Sequence, residues 1–237
     1  MPLRYLLLDL DGTLLPMDMD EFLGAYLRLL ARRLAAYMPP ERFVRELMTS
    51  TDIMIHNLDP DRTNEDVFMA DFFSRTGLPQ AEVRPVFDDF YARDFRTLID
   101  HTQPSSLARA IVEEAQKRGL ELVIATNPLF PLKAIRERMR WAGVADIPFR
   151  LVTAYEDMHF CKPYPYYYEE ILERIGARAE ECLMAGNDID EDLVAGQVGM
   201  RTFLVEDCLI NRRGRNAVAD YRGSLAHLLA FVKELAP

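Results

Sequence analysis

The chain predicts an α/β fold: a parallel sheet with helices on both faces, carrying an inserted all-helical segment. Three observations predict it. Short apolar runs alternate with helical periodicity through the second half of the chain. One more run of that kind, Tyr5-Leu6-Leu7-Leu8, stands alone near the start, ahead of a long block with helical periodicity only. That first run ends in Asp9-Leu10-Asp11-Gly12-Thr13, a charged tip of the sort that closes a buried strand.

In an extended backbone side chains alternate, so Asp9 and Asp11 are expected to project to the same side, with Gly12 letting the chain turn away. Two carboxylates in one crevice either raise a pKa or recruit a cation, which points to a divalent metal, a general acid, or both. A simple turn after a strand uses the same residue types.

From Asp20 the apolar residues Phe22, Leu23, Tyr26, Leu27, Leu30 and Leu34 recur at three- and four-residue steps until Pro39-Pro40, which predicts a helix. A short helix around Phe43, Val44 and Leu47 follows. The polar stretch 49–64 reads as a loop, with Asn57, Arg62 and Asn64 as candidates for substrate specificity. Helical spacing returns around Val67–Phe73, stopped by Gly77-Leu78-Pro79, and again from Val83 to Phe95. The stripe of Phe72, Phe73, Phe87, Phe90 and Tyr91 reads as the core of this segment.

Beyond it the alternation is regular. A helix capped by Ser105 or Ser106 ends at Gly119, and a strand over Leu120–Ala125 ends in Thr126-Asn127-Pro128. A helix over about 131–141, a strand near 149–153, a helix over 165–175 closed by Gly176 and a strand over 182–185 come next. A helix from Glu191 to near Gly199, a strand over 202–205 and a final helix from Ser224 complete the series. The economical organisation is a core of residues 1–16 and 98–237 with residues 17–97 inserted as a separate helical domain.

Composition narrows the function. Lys plus Arg total 28 against 38 Asp plus Glu, a net charge of −10 that repels phosphate backbones and anionic lipid, so neither nucleic acid nor a membrane is expected as partner. An anionic substrate then needs a local positive feature. The three cysteines form no paired motif and read as reduced. With no apolar stretch of spanning length and too short a run at the N-terminus for a signal peptide, a cytoplasmic location is expected. Oligomeric state leaves no trace in the pattern.

In an open parallel sheet the ligand sits at the carboxyl ends of the strands. Four such ends carry polar residues: Asp9 to Thr13, Thr126-Asn127, the segment leading to Lys162-Pro163, and Gly186-Asn187-Asp188 with Asp192. Phosphoryl transfer needs a nucleophile, a charge-neutralising metal, donors to the phosphate oxygens and an acid for the leaving group. This set supplies each type.

The ordered motifs DLDGT (9–13), ATN (125–127), CKPYP around Lys162 and AGNDIDED (185–192) resemble those of the haloacid dehalogenase superfamily of hydrolases, and the resemblance covers the whole core. It implies a Rossmann-like sheet of order 5-4-1-2-3 and makes residues 17–97 similar to that superfamily's helical cap. It implies a Mg2+-dependent phosphatase acting on a small phosphorylated metabolite. Asp9 would then be the nucleophile that forms an aspartyl-phosphate, and Asp11 the acid and base. Thr126 and Asn127 would hold phosphate oxygens, with Lys162 orienting Asp9. The Mg2+ ligands would be Asp9, the Asp11 backbone carbonyl and Asp188, with Asp192 behind them. Asn187 departs from the motif, where many relatives carry an acid, and leaves Asp188 and Asp192 competing for the closer place to the metal. A phosphomutase or a non-catalytic phosphate- or metal-binding protein could share the scaffold. A 2-haloacid dehalogenase is disfavoured by Asp11, since a halide leaving group needs no proton, and a response-regulator receiver by the position of the first acid.

Overall fold

The computed structural model describes residues 2–216 and 218–235. Six parallel strands form one sheet: β1 (Tyr5–Leu8), β2 (Glu121–Ile124), β3 (Leu151–Val152), β4 (Cys182–Gly186), β5 (Arg201–Val205) and β6 (Tyr221–Gly223), in the order β3-β2-β1-β4-β5-β6. The first five take the expected order. The sixth, which the sequence reading did not foresee, pairs with β5 at the edge, where its three residues Tyr-Arg-Gly give no apolar run to recognise. β1 lies between β2 and β4, in register Leu8 with Ile124 and Leu8 with Ala185, so the ends of these three strands are neighbours.

Both faces of β1 are covered, which is why its residues are apolar without alternation. Leu6 and Leu8 enter one apolar cluster with Leu122 and Ile124, and Tyr5 and Leu7 enter the other with Val123 and Met184. Helix α6 (Leu132–Trp141) covers the first face through Ile135 and Met139, while α7 (Pro165–Ile175) covers the second through Tyr167, Tyr168 and Ile171. Helix α5 (Ser106–Lys117), capped by the Ser105 hydroxyl, packs with α8 (Leu225–Glu234), capped by Ser224.

Between β1 and α5 stand four helices: α1 (Met19–Arg33), α2 (Pro40–Ile55), α3 (Asn64–Thr76) and α4 (Gln80–Arg93). Their shared interior holds Phe43, Phe72, Phe87 and Phe90, with Phe43 and Phe72 edge to face at 6.0 Å, and it joins the apolar cluster under the sheet. The stretch 49–55, expected as loop, is the last part of α2. Its polar residues are reconciled with the helix because Thr49 and Thr51 donate to the carbonyls four residues back (2.9 Å each), Ser50 donates to Asp71 (2.7 Å), and Met54 is buried. The helix expected from Glu191 is a short 3-10 turn, Leu193–Val198. Cys161, Cys182 and Cys208 are free thiols, and among the described residues no helix is long and apolar enough to cross a membrane.

Candidate active site

The strand register places the polar ends together. Asp9 follows the last residue of β1 and stays in the sheet through its amide, which donates to the Ala185 carbonyl at 2.9 Å. Asp9 is 7% exposed, and its carboxylate accepts from Lys162 Nζ at 3.0 Å. The Thr13 hydroxyl lies 3.2 Å from Asp9 Oδ2 and 2.9 Å from Asn187 Oδ1. Lys162, 1% exposed, also donates to Asp192 Oδ1 at 2.6 Å, and Asp192 Oδ2 accepts the Asp188 amide at 2.9 Å. One ammonium thus ties the end of β1 to the loop after β4.

Asp11 goes elsewhere. The strand pattern ends at Leu8, and the turn through Gly12, at φ +82°, redirects the chain. The Asp11 carboxylate pairs with Arg138 of α6, on the opposite face of the sheet from α7. The two acids are near enough for Asp11 to bear on the Asp9 charge and for Lys162 to bear on Asp11, yet each is hydrogen-bonded to a different cation. Arg138 is 1% exposed, lies 4.5 Å from the centre of the Phe130 ring, and has a buried Nη2 without a protein partner, as has Asp11 Oδ1.

The second strand end is pinned from below. The Thr126 carbonyl accepts from Thr153 Oγ1 (2.7 Å) and from Tyr167 Oη (2.8 Å). Asn127 accepts the Lys162 amide on Oδ1 (3.2 Å) and donates to Glu191 from Nδ2 (3.1 Å), which ties motif two to motifs three and four. Tyr168 Oη donates to the Glu191 carbonyl at 2.9 Å. Asp188 Oδ1 accepts the amides of Asp190 (2.8 Å) and Glu191 (3.0 Å). The loop after β5 lies alongside, with Asn187 Nδ2 donating to the Cys208 carbonyl at 2.6 Å. A polar cavity of about 550 Å³ opens here, lined by Asp11, Gly12, Asn187, Asp207 and Arg212 among others.

Charge in this cluster is unbalanced. Asp9, Asp11, Asp188, Glu191 and Asp192 face two buried cations, Lys162 and Arg138. Burial pushes the Asp9 carboxyl up to about 8 against the pull of Lys162, with Asp192 and Asp11 adding to the rise. Burial raises Asp11 against Arg138, raises Asp188 with help from Asp192, and pushes Glu191 up to about 7. Burial alone would depress the Lys162 ammonium, but Asp192 and Asp9 hold it well above its ordinary value.

This surplus of carboxylate is what a hard divalent cation neutralises, and the donors are all oxygen. Among the described residues no three acidic, histidine or cysteine side chains form a ready-made metal cage. Mg2+ does not require one: it is held by one or two carboxylates, and waters and substrate oxygens complete its shell. Asp9 and Asp188 supply carboxylates and Asp11 a backbone carbonyl, the donor types that requirement names.

The sequence does not single out Arg138, Thr153 or Glu191 for the site. Arg138 left one signal, since with Ala134, Ile135 and Met139 it occupies the buried stripe of α6. The loop candidates are less central: the Asn57 side chain donates to the Asp59 carbonyl (3.3 Å) and Arg62 to the Asp66 carbonyl (3.1 Å). Asn64 is buried at the start of α3, its amide donating to Met158 O at 2.8 Å.

Comparison with known proteins bears on the family of the chain. Over 124 residues the chain is 29% identical to a phosphoglycolate phosphatase of Vibrio parahaemolyticus serotype O3:K6, covering 52% of each protein. Over 101 residues it is 30% identical to a ribulose-1,5-bisphosphate 5-phosphatase of Halopiger xanaduensis, covering 42% of this chain and 41% of that protein. The chain thus spans about half the length of the curated relatives it matches. Its fold is shared with a HAD phosphatase from Thermococcus onnurineus (TM-score 0.61, 21% identity, 99% of both chains). It is also shared with CbbY from Rhodobacter sphaeroides in complex with phosphate (TM-score 0.61, 21% identity, 95% of this chain and 96% of that one). The profile of haloacid dehalogenase-like hydrolases matches residues 3–199, and with the four motifs meeting at one edge of the sheet, the chain belongs to that family.

Proposed function

We propose that the protein is a phosphatase that hydrolyses a small phosphorylated metabolite through an aspartyl-phosphate on Asp9. The observation that carries this reading is the Asp9–Lys162–Asp192 chain of contacts, 3.0 and 2.6 Å long, which fixes one carboxylate at a strand end beside a buried ammonium. A carboxylate so held is positioned to attack phosphorus, and the phosphatase names of the matched relatives support the same chemistry.

In this mechanism Thr126 and Asn127 hold the phosphoryl oxygens, and Lys162 both orients Asp9 and offsets the charge that builds up on the phosphoryl group. Asp11 gives its proton to the leaving oxygen and then takes one from the water that opens the acyl-phosphate. Asp9, the Asp11 backbone carbonyl and Asp188 would hold Mg2+, which would supply neutralisation of the phosphoryl charge when bound. Asp192 keeps Lys162 in place from behind. Residues 17–97 act as a cap that closes over the strand ends and keeps bulk water from the intermediate. The charge of −10 favours small substrates over polyanionic polymers.

The test is phosphate release with Mg2+ across sugar phosphates, nucleotides and small acid phosphates, wild type beside Asp9→Asn. A loss on the order of 10⁴-fold or more is expected in the variant. Full activity in Asp9→Asn would remove Asp9 from the nucleophile role.

A further inference from the structure

A second cavity, of about 170 Å³, lies where α1, α2 and α4 meet the loop after β2. Leu23 and Tyr26 of α1, Thr51 of α2, Tyr91 of α4, and Phe130 line it, and no charged side chain does among the described residues. Its size is informative. An apolar cavity of about 150 Å³ in another protein stays dry and admits a benzene-sized molecule, so a space slightly larger suits one ring or two fused rings. An ion would lose its hydration here with nothing to replace it.

A hydrogen-bonded pair of hydroxyls sits in the wall. The hydroxyls of Tyr26 and Tyr91 are 2.8 Å apart, and one proton serves that bond, leaving the other free to meet an acceptor on a ligand. Burial pushes the Tyr26 phenol up to about 12 and Tyr91 well above its ordinary value, so both remain neutral donors.

The cavity is mechanically joined to the strand ends. Phe130 packs edge to face on Tyr26 at 5.2 Å on one side and lies under the Arg138 guanidinium at 4.5 Å on the other, and Arg138 holds Asp11. A group pressed against Phe130 therefore bears on the residue that positions Asp11.

We infer that this cavity is a binding site for one neutral apolar group, aromatic or compact aliphatic, of benzene to indole size. The group is carried either by the leaving part of the substrate or by a separate molecule. The chemistry is common to both sources, and only the first rests on the phosphatase reading.

The experiment uses the full chain with indole and toluene as probes, read by calorimetry and ligand-observed NMR. Wild type is expected to bind indole saturably, with Thr51→Phe and Leu23→Trp, which add bulk to the lining from α2 and α1, at least tenfold weaker. Thr51→Val, which keeps the shape and loses only a hydroxyl already committed to the Leu47 carbonyl, retains binding. Thermal unfolding verifies that each variant is folded. Absence of saturable binding to wild type, or unchanged binding in both folded filled variants, overturns the site. The source is read from turnover. If the substrate carries the group, indole competes with phenyl phosphate and Thr51→Phe raises KM for phenyl phosphate tenfold while leaving glycerol phosphate unaffected. If a separate molecule does, indole binds equally with either ester present. Should no ester be hydrolysed, the phosphatase reading fails while the probe titration still decides the cavity.

Discussion

Arg138 and Asp11 form a buried ion pair between the middle of α6 and the turn after β1, with the guanidinium resting on the Phe130 ring. The pair spans 127 residues of sequence and joins the first motif to a helix that no motif includes.

Removing only one partner leaves a charge without compensation. Arg138→Met is expected to destabilise the fold by about 3–5 kcal/mol in urea titrations and to lower kcat more than it raises KM, because Asp11 loses its orientation. Arg138→Met combined with Asp11→Leu should recover much of that stability while remaining inactive. A double variant no more stable than Arg138→Met would mean that the pair is not the source of the loss.

Gly186 leaves no room for a side chain. A Cβ there would lie 2.7 Å from the Asp192 Cβ and closer still to its carboxylate, and Asp192 is held by Lys162 and the Asp188 amide. Gly186→Ala is expected to cost about 1–3 kcal/mol and to reduce turnover by shifting Lys162 from Asp9. Gly196→Ala, whose nearest neighbour would be Thr202 Cγ2 at 3.7 Å, should stay within about 0.5 kcal/mol of wild type.

Divalent metal should stabilise the folded state in proportion to its binding. At free Mg2+ of a hundred times its Kd the gain is about 2.7 kcal/mol, seen as a rise in Tm that chelator reverses. Asp188→Asn should suppress that rise, and Asp190→Asn, whose carboxylate faces Arg213 and Arg215 instead, should preserve it. Equal responses in the two variants would remove Asp188 from the ligand set.

Away from the site, Glu181 gives a pH dependence of known sign. Hydrogen bonding from Arg178 pulls its carboxyl down from 4.5 to about 2, opposed by burial and aided by Arg4. A depressed folded-state pKa contributes stability that is present above about 4.5 and lost as pH falls through about 2. The stability difference between wild type and Glu181→Gln should therefore be largest near neutral pH and shrink steadily below pH 4.5. A gap that is constant down to pH 2 would contradict it.

Much of the fold was legible in the residues because burial on two faces leaves a simple mark. Tyr5–Leu8, Leu122–Ile124 and Cys182–Gly186 are continuous apolar runs for that reason, and the strand ends could be recognised where Asp9, Thr126 and Asn187 interrupt them. The tail of α2 was not legible. Thr49, Ser50 and Thr51 are poor helix formers in isolation, and the hydroxyl bonds to Arg45, Asp71 and Leu47 that accommodate them depend on the helix already being there. β6 is three residues long and exists because β5 offers an edge.

Of the candidate site, the sequence by itself determined which residue types stand at the strand ends and in what order, since Asp9, Thr126 and Asp188 lie just past readable strands and Lys162 just ahead of a readable helix. Only the tertiary structure decided how they are partnered. Lys162 could have been matched with any acid, but helix α7 and the loop before it deliver its ammonium to Asp9 and Asp192. Asp11 shares a motif with Asp9, yet it pairs with an arginine 127 residues away. Strand periodicity is a local property of the backbone and ends at Leu8. The direction of each carboxylate past that point is fixed by which buried cation the packing of α6 and α7 brings within reach, and no local pattern encodes that.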